Sequence, residues 1–192
     1  MKTLVKTSLL LAIVHLATAV HVFATPVAYT YYTDFMAALS GRPAPAIQTF
    51  EGFPDGMIIS DGETLEGITI NYTEGSTSLM VIRDDTPPGG NTLGTSRSDG
   101  GISRVLSFSF APQNAIGMYF ILPYEHTSYI SVDNSEFESD RQACQRLWNG
   151  SFAYFFGVVD NENSFTSAKV YSNIPFRVDN IVTAEAPPQV PL

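Results

Sequence analysis

Val105-Leu-Ser-Phe-Ser-Phe-Ala-Pro-Gln-Asn-Ala-Ile-Gly-Met-Tyr-Phe-Ile-Leu122 is the stretch that decides the fold. Its opening alternates, with Leu106, Phe108 and Phe110 on one face and serines on the other, and a period of two marks a half-buried strand. Ala111-Pro reads as a break, and a second strand is expected over 115–122. The same pattern recurs: Leu65-Glu-Gly-Ile-Thr-Ile-Asn-Tyr72 sets Ile68, Ile70 and Tyr72 on one face. Further strands are expected at 47–50, 78–83, 129–132, 152–158, 165–171 and 176–182. Turn residues punctuate them at Pro54-Asp-Gly, Asp61-Gly, Glu74-Gly, Pro87-Pro-Gly-Gly-Asn, Asp99-Gly-Gly, Asp133-Asn and Asp160-Asn-Glu-Asn. Many short strands so spaced predict an all-β, antiparallel sandwich or barrel. One segment departs from the pattern. In Thr33-Asp-Phe-Met-Ala-Ala-Leu-Ser-Gly41, Thr33 or Asp34 is expected to cap a short helix that packs Phe35, Met36 and Leu39 and stops at Gly41. The stretch 136–148 reads either as a loop with a helical turn or as a strand pair.

The chain begins with Lys2, Lys6, an apolar run from Leu9 that continues to Val22, and Val22-Phe-Ala24, the features of a secretory signal peptide over 1–24. Ala17-Thr-Ala19 is a second candidate cleavage site. The run is short and interrupted by His15 and His21, which argues against a membrane helix. The expected organisation is a signal at 1–24, a helix and connector at 25–46, a sandwich at 47–183 and a Pro-rich tail at 184–192, whose composition suits disorder. Cleavage would leave a secreted or periplasmic chain with no membrane anchor.

Charge excludes one class of partner. With Lys2 and Lys6 removed, eight basic residues face nineteen acidic ones, a net charge of −11. Phosphate backbones require clustered positive charge, so nucleic acid is not an expected partner. Cys144 is the only cysteine, so no internal disulfide staples the fold, and its plain reading is a small buried hydrophobe. His126 is the only histidine after the signal, which removes most His-based metal sites and limits any His-dependent triad to this residue. No HExxH, P-loop or Gly-x-Ser-x-Gly pattern occurs, and the acidic pairs in polar loops read as solvated, so no catalytic residue is assigned.

Two acids stand in apolar company near opposite ends of the chain: Glu51 in Thr49-Phe-Glu-Gly-Phe-Pro and Asp179 in Phe176-Arg-Val-Asp-Asn-Ile. A carboxylate there requires a partner. Strands from the two ends of a sandwich often lie side by side, so the pair is a candidate for one Ca²⁺, with turn carbonyls or a nearby Asp or Asn completing the shell. The plain alternative leaves Glu51 exposed at a strand end and pairs Asp179 with Arg177, or uses it to cap a turn. For a sugar ligand, the candidates for stacking and hydrogen bonding are Trp148, Tyr124, Tyr129, Tyr154 and Arg146, with Trp148 foremost because Asn149-Gly follows it.

Read in order, the short helix, Thr49-Phe-Glu-Gly-Phe-Pro-Asp-Gly, Glu66-Gly-Ile-Thr-Ile, Phe108 to Phe120, Phe155-Phe-Gly-Val-Val, Phe165-Thr-Ser-Ala and Phe176-Arg-Val-Asp-Asn-Ile form a series. The series resembles exported bacterial β-sandwich proteins that carry a PEP-CTERM sorting tail. The layout is also similar to galactose-binding-like jelly rolls, which include many carbohydrate-binding modules. The resemblance implies a jelly roll, a structural Ca²⁺ on Glu51 and Asp179, and a non-catalytic role in binding a glycan or an extracellular-matrix component. The chain departs from the family at Ala186-Pro-Pro-Gln-Val-Pro-Leu192, which has no sorting helix or Arg cluster. Two other classes stay open: a structural or adhesive surface protein that binds other proteins, and a polysaccharide-active enzyme.

Overall fold

A strand that alternates apolar and polar residues can bury only one face, so the strands of this chain form two sheets that share one interior. The structure is a computed structural model that describes residues 25–72, 79–84, 90–95, 105–133, 135–139, 144–147 and 150–188. The expected signal at 1–24, the turns at Glu74-Gly and Asp99-Gly-Gly, the Pro87-Pro-Gly segment, Trp148 and the last tail residues lie outside these.

The elements, in chain order, are β1 (Val27–Tyr29), α1 (Tyr32–Ala38), β2 (Ala46–Gln48), β3 (Ile58–Ile59), β4 (Glu63–Leu65), β5 (Ile68–Tyr72), β6 (Leu79–Asp84), β7 (Gly90–Thr95), β8 (Val105–Gln113), β9 (Ala115–Leu122), β10 (Ser128–Val132), β11 (Ser135–Glu138), β12 (Cys144–Arg146), β13 (Phe152–Val159), β14 (Phe165–Ser172) and β15 (Arg177–Ala184). One sheet has nine strands and runs β1-β13-β9-β15-β7-β6-β3, with β12 on β13 and β2 on β15. The other has six, β11-β10-β14-β8-β5-β4. Every pairing is antiparallel.

Take β7, β8, β9, β10, β11, β13, β14 and β15 as first to eighth. The large sheet then contains first-eighth-third-sixth and the small one second-seventh-fourth-fifth. That order is the jelly roll, two Greek keys wrapped into a double sheet. Strand β7 was not anticipated, because Gly-Asn-Thr-Leu-Gly-Thr has little β-propensity. Its glycines make room for other side chains: a Cβ on Gly94 would lie 2.3 Å from Cγ of Arg177.

Other expectations are corrected in detail. Glu66-Gly67 is a two-residue hairpin turn joining β4 to β5, both residues at positive φ (48° and 85°), so Leu65 to Tyr72 is not one strand. Ala111-Pro is absorbed within β8 as a register shift against β14, a position that tolerates the missing N–H. The segment after Glu136 contains two strands, β11 and β12, in different sheets. Asp160, expected only as a turn residue, is buried rather than solvated. It is 4% exposed in the crossover from β13 to β14, and its Oδ1 accepts from the Glu162 and Asn163 amides at 2.8 and 2.9 Å.

The helix begins two to three residues earlier than a cap at Thr33 or Asp34 would place it. Tyr31 occupies the cap position without a side-chain bond, and Asp34 lies in the first turn. Phe35 and Leu39 are buried on the outer face of the large sheet, among Phe155, Val159 and Val182. Gly117 and Gly157 face each other across β9 and β13, and the Phe35 ring fills the space above them. A Cβ on Gly157 would lie 2.6 Å from it. Phe35→Ala is expected to reduce unfolding free energy by about 3 to 5 kcal/mol, and Gly157→Ala by about 1 to 3 kcal/mol through overpacking. Ile47→Ala, at a side chain 42% exposed, should stay within about 0.5 kcal/mol. Urea titrations of the three variants check the ordering.

Candidate functional site

Strand β15 is bordered on one side by β9 and on the other by two strands in turn. Val178 pairs with Leu93 of β7, while Ile181 pairs with Gln48 of β2. Asp179 and Asn180 fall between the two partners. On the β9 side this point is a bulge: Asp179 faces Tyr119 and Val182 faces Gly117, so β15 carries one residue more. Asn180 takes up the kink with φ of 50°, a conformation that Asn tolerates. Across the gap Phe50, where the chain leaves β2, also has positive φ (61°). That conformation is strained for a bulky residue and is held here by complete burial of the ring.

Glu51 bridges the gap. Its Oε1 accepts the Asn91 backbone N–H at 2.6 Å, and its carboxylate lies where Gly90, at φ 106°, has no side chain. Asn91 closes the corner by donating Nδ2 to the carbonyls of Phe50 (3.4 Å) and Phe53 (2.8 Å). Asp179 is 2% exposed. Its Oδ1 accepts from the Asn180 N–H at 2.7 Å and its Oδ2 from Asn180 Nδ2 at 3.2 Å. Burial drives its pKa up to about 7, the Asn180 amide opposes the rise, and the negative charge of Glu51 adds to it. Segments 128 positions apart in the chain therefore meet at this corner, with the Glu51 charge felt by Asp179.

Whether a hard cation suits the corner is a question of donors. The described residues contain no group of three His, Cys, Asp or Glu side chains able to hold a metal. A Ca²⁺ ion here would take Glu51 and Asp179 and draw its remaining oxygens from backbone carbonyls and water, a set this ion accepts. A buried carboxylate that resists ionisation beside a second one is the electrostatic setting a divalent cation relieves.

The stacking candidates separate. Tyr154 is corrected: it lies in the sandwich interior, 1% exposed, and cannot meet a sugar. Burial of its hydroxyl, followed by the neighbouring Cys144, pushes its pKa up to about 12. Tyr124 is 55% exposed before β10, with its ring 6.3 Å from that of His126. Arg146 is exposed on β12 of the large sheet. Trp148 lies outside the described residues. Tyr129 stands on the outer face of the small sheet.

There it meets a residue that the sequence reading treated only as part of a strand. Tyr129 of β10 is paired directly with Tyr171 of β14, and the rings stack at 4.9 Å and 14°. Lys169 Nζ lies 5.7 Å from the centre of the Tyr171 ring. The Tyr171 hydroxyl donates to Glu136 Oε2, and desolvation, with that carboxylate, pushes its pKa up to about 12. Register extends the surface. Glu136, Ser131, Lys169, Ser107 and Asn71 line up across β11, β10, β14, β8 and β5. Ser167, Ser109, Thr69 and Thr64 form the next row. The pairing partners Ile130, Val170, Leu106, Phe108 and Ile70 point inward and are buried.

No family model matches the chain, and no curated protein sequence matches it. Solved structures do show likeness. The chain is similar to a family 29 carbohydrate-binding module, with a TM-score of 0.38 and 12% identity over 75% of this chain and 91% of that one. Two mutants of a family 29 module, made to probe ligand recognition, are similar at TM-scores of 0.38 and 0.34. Their identities are 13% and 16%, over 75% and 76% of this chain and 88% and 94% of theirs. Likeness at this level decides nothing about ligand.

The corner makes a signed prediction in chelator. Asp179 holds its proton more tightly folded, about 7 against an ordinary 3.8, so the folded state binds more protons between those values. Stability should fall as pH rises from about 4 to 7 and then level off. Asp179→Asn should remove that slope and gain on the order of a few kcal/mol at pH 8. Melting curves across pH check both.

Proposed function

We propose that this chain is an exported, non-catalytic jelly roll that binds glycan through the outer face of its small sheet and is stapled by Ca²⁺ at Glu51 and Asp179. One observation carries the glycan reading: the stacked Tyr129–Tyr171 pair within rows of hydroxyl, amide, ammonium and carboxylate groups. A sugar presents an apolar face to aromatic rings and a rim of hydroxyls that both donate and accept. A surface that supplies both at once is built for that recognition. The rows cross six strands, about 24 Å at ordinary strand spacing, which suits an extended chain or matrix polymer rather than an isolated small molecule. The acidity of the chain favours neutral glycans over anionic ones. The export reading rests on residues 1–24, and the resemblance to exported bacterial sandwiches of the PEP-CTERM type rests on the motifs that contain Glu51 and Asp179.

Binding to immobilised neutral polysaccharides, followed by affinity electrophoresis, tests the reading. Tyr129→Ala and Tyr171→Ala are each expected to weaken retention about tenfold or more, equivalent to about 1.4 kcal/mol, while Arg146→Ala leaves it unchanged. Retention by both tyrosine variants equal to that of the parent would sink it, and release of soluble sugar from the polysaccharide would overturn the non-catalytic part.

Calcium has its own test. A ligand that binds only the folded state raises stability in proportion to the logarithm of its concentration above Kd. The melting temperature at pH 8 should keep rising with the logarithm of Ca²⁺ concentration above Kd, and less at pH 5, where the Asp179 proton competes. Glu51→Gln and Asp179→Asn should each abolish the response; an undiminished response in both would remove the assignment.

A further inference from the structure

Beside the corner, on the rim of the large sheet, lies a cleft of about 500 Å³ lined by Glu51, Phe53, Asp55, Arg83, Gly90 and Asn91, among others. That is within the usual size of small-molecule sites, roughly 300 to 1,000 Å³. It belongs to a different sheet from the tyrosine face. Its walls are held in place by hydrogen bonds. The Arg83 N–H donates to Asp55 Oδ1 at 2.7 Å. The Gly56 N–H donates to the Val81 carbonyl at 2.8 Å, and the Val81 N–H to the Met57 carbonyl at 2.8 Å, which ties the 54–57 turn to β6. Asn91 anchors the opposite wall through Phe50 and Phe53, and Glu51 is bonded to the Asn91 N–H across side-chain-free Gly90.

We propose that this cleft is a second binding site, which takes one terminal unit of a neutral sugar. Two carboxylates and a guanidinium make a mixed set: planar groups that form paired hydrogen bonds, the acids accepting from hydroxyls and the guanidinium donating to them. The half-buried Phe53 ring supplies the apolar contact that a sugar's C–H face takes. An anion would meet two like charges against one opposite charge. A vicinal diol on a six-membered ring can both donate to the acids and accept from the guanidinium while bringing no charge of its own. The inference goes beyond the tyrosine-face reading and shares no residue with that surface, while Glu51 belongs to both the cleft and the proposed calcium corner.

The test is a titration of ¹⁵N-labelled protein with the methyl β-glycosides of glucose, galactose and mannose, up to tens of millimolar, with amide shifts followed. Saturable movement of the amides of 51–56, 83, 90 and 91 by at least one sugar is expected. Asp55→Asn, which keeps the acceptor for the Arg83 amide, should weaken it about tenfold, and Tyr129→Ala should leave it intact. Arg83→Gln is the second variant, and melting curves show whether each is folded. No sugar moving these amides overturns the site, as do shifts confined to the Tyr129 and Tyr171 rows, Ca²⁺ moving the amides where no sugar does, or undiminished affinity in Asp55→Asn. Polysaccharide retention unchanged in Tyr129→Ala and Tyr171→Ala, with the cleft shifts preserved, would remove the tyrosine-face reading instead.

Discussion

Strand β15 has to be shared among three others, and most of what is particular to this protein follows from how it is shared. On one side it pairs with β9 almost throughout, interrupted only by the bulge at Asp179 to Val182. On the other, β7 covers its beginning and β2 its end. Two partners that enter from different parts of the chain cannot meet without a break in the ladder, and a break leaves backbone donors to be satisfied. The protein meets that demand with side chains. Glu51 accepts the Asn91 N–H and Asn91 donates to two carbonyls, so the gap becomes a polar corner inside an otherwise apolar sheet.

That solution creates an electrostatic problem. Asp179 lies on a buried stretch of strand, and closing the gap brings Glu51 towards it, so burial and like charge both oppose ionisation. Strain accompanies it, since Phe50 and Asn180 flank the gap in left-handed backbone conformations. Charge and strain coincide where these two distant segments meet. The small sheet is built differently. Apart from the register shift between β8 and β14 at Ala111-Pro, its strands pair in the alternation of an antiparallel face, and the outer surface can therefore carry tyrosines and hydroxyl groups without disturbing the interior.

The alternation that defines β8 and β10 was legible residue by residue, because each buries one face and the period of two survives in the sequence, whereas β9, β13 and β15 are buried on nearly every residue and were legible as apolar, aromatic-rich runs bounded by turn residues. Strand β7 was not legible. Its Gly90 and Gly94 carry no packing signal of their own, and their role exists only because Glu51 and Arg177 occupy the space beside them. The Glu51–Asp179 pairing could be read from two carboxylates in apolar surroundings at opposite ends of the chain. Tyr154 was misread because aromatic residues in an apolar strand look alike whichever face they take. Tyr171 was missed because its partner is 42 positions earlier in the chain, and cross-strand stacking has no local signature.

Amino-acid order by itself determined the all-β class, the short helix with Phe35 and Leu39 inward, the acidity of the chain and the pair of carboxylates that the fold would have to accommodate. These depend on local periodicity and on residue chemistry, which neighbouring positions express directly. Only the tertiary structure decided which strands share β15, where the ladder breaks, that Tyr129 stacks on Tyr171 and that a polar cleft opens beside Glu51. Each of those is a juxtaposition of residues far apart in sequence, set by strand register across two sheets, and register is fixed by the packing of the whole interior rather than by any one segment.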